Sequence, residues 1–501
     1  MTPADLIALA IFIPLLGALL IAATGAHPNL REGVTIVTSL ALFAVVASLA
    51  PGVLAGARPE LVLVETFPGL PLAFKVEPLG MLFALVASFL WIVTSFYSIG
   101  YMRGAHEEHQ TRFYVCFAVA LASTMGVAFA GNMMTLFVFY EALTLSTYPL
   151  VTHHGDSESM RAGRTYLGVL LSTSIGLQLV AILWTWAIAD TLDFRAGGIL
   201  AGKVEGPLIG VLFALYMFGI GKAALMPFHR WLPAAMVAPT PVSALLHAVA
   251  VVKAGVFTVV KVVVYIFGTD FLSETGANEP ILWVAGFTLI AASLVALSKD
   301  NLKARLAYST VSQLAYIVLG ASLANAHGVI GGAMNIAMHG FGKITLFFCA
   351  GAIYVAAHKT LVSEMTGIGR VMPVTMAAFL IGALSVTGLP PLGGAWSKWY
   401  LMLGATEAGQ LVMVGALMLS SLLNVAYLMG PVARAFFAPP QGAAPAHAGS
   451  VGAAAAPSSP GGIREAPLFC VVPLCVSALG CLVLFFFADQ IYALLEPITR
   501  R

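Results

Sequence analysis

Charge is scarce in this chain of 501 residues. Asp, Glu, Lys and Arg make up 9% of it, whereas 60% of its residues are hydrophobic and the mean hydropathy is +0.95. A soluble domain carries charge on about 25% of its residues, so this chain cannot cover itself with a water-soluble surface. The composition therefore predicts that lipid is its main solvent. A net charge of +2 gives no indication of a nucleic-acid partner.

Cysteine is also rare, and its spacing argues against the common metal and redox sites. No two cysteines form a CxxC pair, and none lies near a histidine at a zinc-site spacing. All five lie in apolar runs, where a free cysteine behaves as a small hydrophobic residue. The sequence also shows no iron–sulfur, haem, flavin or nucleotide motif. We therefore expect no metal, no cofactor and no redox chemistry in this chain.

Long apolar runs dominate the rest of the sequence. A helix needs about 20 apolar residues to cross a bilayer. The first run follows Asp5 with no Lys or Arg before it, which predicts an uncleaved helix rather than a signal peptide. Fourteen runs predict helices near residues 4–24, 34–56, 78–101, 113–130, 132–151, 163–188, 207–228, 240–266, 280–298, 304–323, 327–356, 371–403, 410–437 and 467–494.

Two segments between the spans differ in composition. Residues 61–76 are rich in β-branched side chains punctuated by Pro and Gly, which predicts a small hairpin outside the membrane. A Pro/Ala/Gly/Ser-rich stretch at 439–465 predicts a flexible linker.

Basic residues in the loops concentrate on the face reached after the first helix. The positive-inside rule makes that face cytoplasmic and puts both termini outside.

Five lysines do not fit this sorting, because each lies inside an apolar run: Lys222, Lys253, Lys261, Lys343 and Lys398. A charge at the bilayer centre costs about 3 kcal/mol on the insertion scale, so such residues face the bundle interior or water and often mark ion pathways. Glu141 is the one acid predicted at the centre of a span. We expect Glu141 and Lys222 to form a buried pair, because each would be costly alone. A static ion pair that only fixes helix packing is the alternative for Glu141, and Lys261 could instead extend to the headgroups.

Prolines are predicted to open two of the Lys-bearing spans. Pro227 cannot donate to the carbonyl four residues earlier, so the backbone is expected to open one residue beyond Lys222. The Pro pair at 390–391 similarly frees the carbonyl of Thr387 ahead of Lys398. Open backbone at membrane depth is tolerated only within protein or beside a water-filled cavity. Two interrupted spans, each with a buried lysine, suggest paired half-transporters.

Histidines lie on two of the same predicted helices. His247 precedes Lys253 by six residues, and His339 and Lys343 share a helix face at spacing i, i+4. Histidine titrates near neutral pH and can pass protons. A membrane histidine is often only a hydrogen-bonded core residue, but two on lysine-bearing helices favour a relay. The pair at 153–154 is predicted to be a solvated loop.

Three runs of the sequence resemble a known family: KAALMPFHRWLPAAMVAPTPVSALLHAVAVVKAG, STVSQLAYIVLG and GLPPLGGAWSKWYL. They are similar to the antiporter-type subunits of respiratory complex I, of membrane-bound hydrogenases and of Mrp-type sodium/proton antiporters. The similarity covers nearly the whole chain, and the first run is the most specific.

The resemblance implies an all-α polytopic membrane protein of about fourteen transmembrane helices. Two inverted five-helix repeats, helices 4–8 and 9–13, are implied, with helices 7 and 12 discontinuous. The implied sections are 1–111 with helices 1–3 and the hairpin, 112–270 and 271–438 with the two repeats, 439–465 with the linker, and 466–501 with the last helix.

The resemblance also implies a proton path through a row of buried residues, which we call the central row: Glu141, Lys222, His247, Lys253, His339, Lys343 and Lys398. Lysine at the last position looks more like the Mrp D-subunit group, because one complex I group carries glutamate there. The implied partners are other membrane subunits in a bacterial inner membrane, with protons as cargo and sodium as the candidate counter-ion. A redox-driven proton pump and a purely structural scaffold are the alternatives.

Overall fold

The structure is a computed structural model that describes residues 2–67, 69–438 and 462–500, apart from the side chains of Thr66, Phe67 and His247. Most of the predicted linker at 439–465 lies outside the described residues. The helices of the first half are α1 Pro3–Ala23, α2 Pro28–Leu54, α3 Pro78–Gly104, α4 Gln110–Ala128, α5 Met133–Val151, α6 Ser157–Thr173, α7 Leu179–Ala189, α8 Pro207–Gly219, α9 Trp231–Ala234, α10 Thr240–Ala244, α11 Val251–Lys261 and α12 Thr269–Thr275.

The second half of the described structure adds nine helices, and α6, α10 and α11 each run into a π-helical stretch. The π stretches are Ser174–Gln178, Leu245–Val249 and Val262–Phe267. The later helices are α13 Glu279–Ser298, α14 Leu302–Ser322, α15 Ala326–Ala357, α16 Ile368–Val371, α17 Pro373–Thr387, α18 Gly394–Glu407, α19 Leu411–Phe437, α20 Leu468–Phe486 and α21 Ala488–Leu495.

The predicted hairpin is confirmed. Strands β1 Glu60–Phe67 and β2 Leu70–Lys75 pair antiparallel, with Glu60 opposite Lys75. The hairpin precedes α3, and the Lys75 N–H donates to the carbonyl of Phe129 (2.7 Å) at the end of α4. The strands are therefore tied to the membrane bundle.

Ten helices in the described part of the chain are long and apolar enough to cross a membrane, or eleven if the bent pair Val251–Phe267 and Thr269–Thr275 counts as one span. These ten match ten of the fourteen predicted spans. The predicted seventh and twelfth spans are broken, the eighth is bent and the tenth, α14, is long but more polar. The all-α polytopic class with discontinuous helices is confirmed. Three of these four exceptions carry a buried lysine, Lys222, Lys253 or Lys398. The fourth, α14, carries Ser309, which binds Lys343.

The longest helix, α15, lies at the centre of the bundle. Its N-cap is Asn325, whose side chain accepts a hydrogen bond from the N–H of Gly328 (2.8 Å) and so satisfies one of the free donors of the first turn. It packs against α3, α14, α17, α18 and α20, and its residues from Gly328 to Ile353 are buried. An ionisable residue between Gly328 and Ile353 therefore faces protein on every side.

Candidate functional site

Lys222 lies in a break of the seventh predicted span. The chain leaves α8 and passes through a short 3-10 turn, Gly221–Ala223, that contains the lysine. The break therefore begins before Lys222, and the prediction that Pro227 opens the helix only beyond it is wrong. Inside the break the carbonyl of Gly221 accepts hydrogen bonds from the N–H of Ala224 (3.0 Å) and from the indole N–H of Trp231 (3.0 Å), so it remains satisfied.

The ammonium of Lys222 is bound by α5. Its Nζ donates to the carbonyl of Tyr140 (2.8 Å) and to Oγ1 of Thr144 (2.6 Å), and it lies 3.2 Å from the centre of the Tyr140 ring. Gly255 of α11 lets the break approach, because a Cβ there would lie 2.4 Å from the backbone of Lys222. A fully buried cation is thus held by two oxygens and one aromatic face.

Glu141 does not bind Lys222 directly. The predicted ion pair between them is absent from this conformation, and both carboxylate oxygens are buried with no hydrogen-bond partner among the described residues. Successive helical residues point about 100° apart, so the face that presents Tyr140 and Thr144 to Lys222 turns Glu141 aside. Its neighbours Val138 and Leu145 are 46% and 57% exposed, so Glu141 lies towards the lipid-facing edge of α5.

Lys253 and His339 join the two halves of the chain. The Nζ of Lys253 on α11 lies 2.8 Å from Nδ1 of His339 on α15, and both residues are buried. The sequence predicts a shared helix face for His339 and Lys343 and puts His247 near Lys253, but it does not predict the contact between Lys253 and His339. The backbone of His247 belongs to the π stretch Leu245–Val249, and its side chain lies outside the described residues.

Lys343 turns from the same face of α15 towards α14. Its Nζ donates to Oγ of Ser309 (2.6 Å), and the hydroxyl of Tyr427 also donates to that oxygen (3.1 Å). Tyr427 contacts Asn424 on α19 in turn. Lys343 is therefore bound through hydroxyl groups, and no ion pair to it is present within the described ranges.

Lys398 meets the carbonyl that the proline pair frees. α17 ends at Thr387, and Nζ of Lys398 donates to the carbonyl of Thr387 (2.7 Å) and to Oγ of Ser421 (3.1 Å). It also lies 4.7 Å from the centre of the Tyr316 ring. The opening predicted at the Pro pair 390–391 is confirmed.

An open cavity of about 830 Å³ lies beside Lys398. Polar groups of Tyr316, Thr387 and Ser421 line its inner end, and Trp399 and Leu422, 52% and 66% exposed, line its outer end. Among the lysines of the central row, Lys398 therefore has the most direct connection to the outside of the bundle, through this cavity of the described structure.

The structure contains a buried ion pair that the sequence does not predict. Lys261 does not extend to the headgroups: its Nζ contacts the Glu77 carboxylate, donates to the carbonyl of Ala130 (2.9 Å) and lies 4.0 Å from the centre of the Phe194 ring. Glu77 lies between the hairpin and α3, and it is only 5% exposed. The signal that could have found it was an acid directly before the N-terminal proline of α3.

The histidine pair at 153–154 lies in a turn, as predicted, but only His154 is exposed to solvent. His153 is buried and its Nε2 lies 3.9 Å from the Glu107 carboxylate, whereas Nε2 of the half-exposed His154 lies 3.2 Å from the same carboxylate. Burial lowers the pKa of His153 to about 4, and the hydrogen bond to Glu107 raises the pKa of His154. Glu107, His154 and Lys303 line a small cavity of about 140 Å³ at this end of the bundle.

The partners of the four row lysines have a common chemistry. Thr144, Ser309 and Ser421 supply hydroxyls, and His339 supplies an imidazole. Hydroxyl and imidazole groups can both donate and accept hydrogen bonds, so each can pass a proton to or from an amine. The arrangement links α5, α11, α14, α15, α18 and α19 through buried ionisable groups.

Comparison with known proteins bears on this arrangement. Residues 130–424 match the family model described as "NADH:quinone oxidoreductase/Mrp antiporter, TM", and residues 66–114 match "NADH-Ubiquinone oxidoreductase (complex I), chain 5 N-terminus". The first match covers more than half of the chain. The chain belongs to this NADH:quinone oxidoreductase/Mrp antiporter family.

Several members of the family are similar in sequence. The NADH-quinone oxidoreductase subunit N of Desulforudis audaxviator is 32% identical, over 83% of this chain and 82% of that protein. The NAD(P)H-quinone oxidoreductase chain 5 of Picosynechococcus is 29% identical, over 68% of this chain and 52% of that protein. Hydrogenase-4 component B of Escherichia coli is 31% identical, over 66% and 50%. The chain thus spans about half the length of some relatives and most of another.

Solved structures share the fold of this family member. A chain of the Mrp complex from Dietzia superposes with a TM-score of 0.86 at 22% identity, over 100% of this chain and 97% of that one. A chain of the archaeal membrane-bound sulfane sulfur reductase gives 0.82 at 21% identity, over 98% and 97%. A chain of respiratory complex I from Thermus thermophilus gives 0.81 at 20% identity, over 98% of both chains.

Proposed function

We propose that this chain is the proton-translocating subunit of a multi-subunit monovalent cation (Na⁺)/proton antiporter, in which protons pass along the central row. The observation that carries the proposal is a set of four fully or almost fully buried lysines, each hydrogen-bonded to a hydroxyl, an imidazole or a freed carbonyl. Buried ionisable residues in a membrane protein are costly and usually functional.

Electrostatics determines when Lys222 keeps its proton and when it releases it along the row. A carboxylate near an ammonium favours its charged form, and burial without that carboxylate disfavours it. When Glu141 moves towards Lys222 the lysine keeps its proton, and when Glu141 withdraws the proton passes on towards Lys253 and His339. Lys343 and Lys398 continue the row, and Lys398, as its last charge, exchanges its proton with the far side.

One observation supports an antiporter over a redox enzyme: lysine rather than glutamate stands at position 398, as in the Mrp D-subunit group that the sequence resembles. The row contains no cluster of carboxylates that would bind sodium, so the proposal places sodium in another subunit of the complex. We also propose a bacterial inner membrane as its location, with both termini on the outer face. The proposed sections of the chain are 1–111, 112–270, 271–438, 439–465 and 466–501.

Glu141 provides the first test. Glu141→Ala should lower ion-driven proton transport by about 100-fold, the lower limit typical of a positioned proton-transfer group, while the complex still assembles. The measurement is pH-dye quenching in proteoliposomes that contain the whole complex, with Glu141→Asp as the variant that keeps the carboxylate. Wild-type transport by Glu141→Ala would refute the assigned role.

A proton-pumping module of a redox enzyme is the second candidate, because the curated relatives include NADH-quinone oxidoreductase subunits. Purification of the native complex in mild detergent separates the two. A peripheral arm with iron–sulfur clusters, visible by electron paramagnetic resonance, would favour the redox enzyme. A complex composed of membrane subunits alone would favour the antiporter.

A further inference from the structure

A groove runs along the outside of the bundle between α3 and α20, away from the central row. It consists of two adjoining cavities of about 500 and 440 Å³ that share Phe469. The first cavity contains the polar groups of Asn29, Glu32 and Arg103. The second is entirely apolar and is lined on α3 from Phe89 to Phe96. We call the two together the α3–α20 groove.

The polar end of the groove carries excess positive charge. Nε and Nη2 of Arg103 donate to the two oxygens of Glu32 (3.0 and 2.5 Å), and Arg31 also lies 3.4 Å from that carboxylate. Two guanidinium groups thus share one carboxylate. The Glu32 side chain is 5% exposed, whereas the Arg103 side chain is 47% exposed. A ligand in the groove therefore meets the guanidinium of Arg103, while Glu32, the one acid among the described lining residues, already binds two arginines.

The length of the groove matches one leaflet of a bilayer. From Arg103 to Phe89 is fourteen helical residues, or about 21 Å at 1.5 Å per residue. One leaflet, including its headgroup region, is about 20–22 Å thick. The polar end lies where α2 begins, α3 ends and α20 begins, which is the level of the headgroups. The apolar end lies at the depth of the acyl chain ends.

The groove is closed near the middle of the membrane. The Phe89 ring packs against Phe43 (5.7 Å between ring centres) and Phe341 (5.8 Å). Phe341 in turn lies directly against α20, because a Cβ at Gly480 would be 2.3 Å from its ring. A transmembrane helix of a partner would need a channel of about 30 Å across the whole hydrocarbon core. This groove accommodates only half of that length.

We propose that the α3–α20 groove is a binding site for one anionic phospholipid of the leaflet at the Arg103 end. Its phosphate accepts hydrogen bonds from the exposed edge of Arg103, and an acyl chain follows α3 down to Phe89. Phosphatidylethanolamine and phosphatidylcholine are weaker ligands, because their cationic headgroups would meet Arg103, and the one carboxylate among the described lining residues, Glu32, is already shared by two guanidinium groups. The site holds α20 against α3, where Gly100 already allows close backbone contact.

Native mass spectrometry of the purified complex tests this site. The complex is exchanged into nanodiscs of equal phosphatidylglycerol, phosphatidylethanolamine and phosphatidylcholine, then released from them. Wild type should retain phosphatidylglycerol about fivefold over phosphatidylcholine, the discrimination expected of one basic side chain at a lipid phosphate. Arg103→Gln should lose that preference.

A matched pair of glycine variants fills or spares the groove. Gly33 lines the groove, whereas Gly52 lies near the other end of α2. A Cβ at Gly33 would have nothing within 4 Å, and a Cβ at Gly52 would make only ordinary contact with Ala57. Gly33→Leu should lose one retained phospholipid and Gly52→Leu should keep it. Equal retention by both variants, or no preference in wild type, overturns the proposal. So does a photo-crosslinker at Ile36 that captures a membrane subunit instead of lipid.

Discussion

At the scale of single residues, Lys398 is the best placed to exchange protons with the outside. It is 7% exposed, it binds the freed carbonyl of Thr387, and it faces a cavity of about 830 Å³. The other row lysines are completely buried. An ionisable group that alternates between a protein partner and an open cavity can act as a gate.

Lys398→Ala should therefore block net turnover, with a loss of about 100-fold. Lys398→Glu should retain part of the activity and shift the pH optimum, because a carboxylate takes up its proton in a lower pH range than an amine. Proteoliposomes containing the whole complex, assayed from pH 5 to 10, provide the measurement. Full activity of Lys398→Ala with an unchanged profile would end the gate hypothesis.

Replacing His339 with alanine removes a hydrogen-bonding group, whereas replacing Lys343 with alanine removes a charge. His339→Ala leaves Lys253 beside a space that water can fill, whereas Lys343→Ala removes a charge from the row. We expect His339→Ala to slow transport by about 10-fold and Lys343→Ala by about 100-fold. Initial rates of dye quenching give the ranking, and His339→Gln tests whether a neutral hydrogen-bonding side chain suffices. Equal and complete loss in both alanine variants would contradict it.

At the scale of elements, the break between α17 and α18 positions Lys398. Gly388 follows α17 with φ +90°, and a Cβ on it would lie 2.6 Å from Cδ of Lys398. Only glycine adopts that conformation without strain and also leaves room for the lysine stem. The glycine therefore couples the shape of the break to the position of the charge.

Gly388→Ala should lower transport by about 10-fold or more, because backbone strain and the clash both displace Lys398. Gly409 offers the matched control: it follows α18, the helix that carries Lys398, with φ +69°, and a Cβ on it would have nothing within 4 Å. Gly409→Ala should cost stability alone. Comparing transport rates with thermal unfolding of both variants separates the two effects, and equal transport losses would argue against a role for the break.

At the scale of the whole molecule, stability should depend on the histidines that join α5 to the α3–α4 loop. Burial lowers the pKa of His153 to about 4, so below pH 6.5 the unfolded chain takes up a proton that the folded chain refuses, and stability falls. Glu107 raises the pKa of His154, so its contribution is complete below pH 6.5 and is lost as the pH rises through the raised value.

The adjacent histidines should thus respond to pH in opposite senses. His154→Gln should lower the unfolding temperature at pH 6 by a few degrees and have little effect at pH 8.5. His153→Gln should gain stability relative to wild type as the pH falls from 6.5 towards 4. Differential scanning fluorimetry across this range measures both. Parallel pH profiles for the two variants would contradict the opposite pKa shifts of the two histidines.

Much of the molecule was determined by the sequence alone. Scarce charge and long apolar runs required a membrane protein, because each apolar span can satisfy its backbone in lipid only as a helix. The lysines stood out for the same reason, since nothing around them in the sequence is polar enough to explain them. The hairpin and the opening at Thr387 also followed from local rules of strand patterning and proline.

The tertiary structure alone decided which groups meet. The cost of burying either charge alone predicted that Glu141 binds Lys222, but the 100° turn per residue gives the lysine to Tyr140 and Thr144 instead. The contacts of Lys253 with His339 and of Lys261 with Glu77 join positions 86 and more than 180 residues apart. Such pairings depend on how helices pack, which local propensity does not encode, because any buried charge only requires a partner and many helices could provide one.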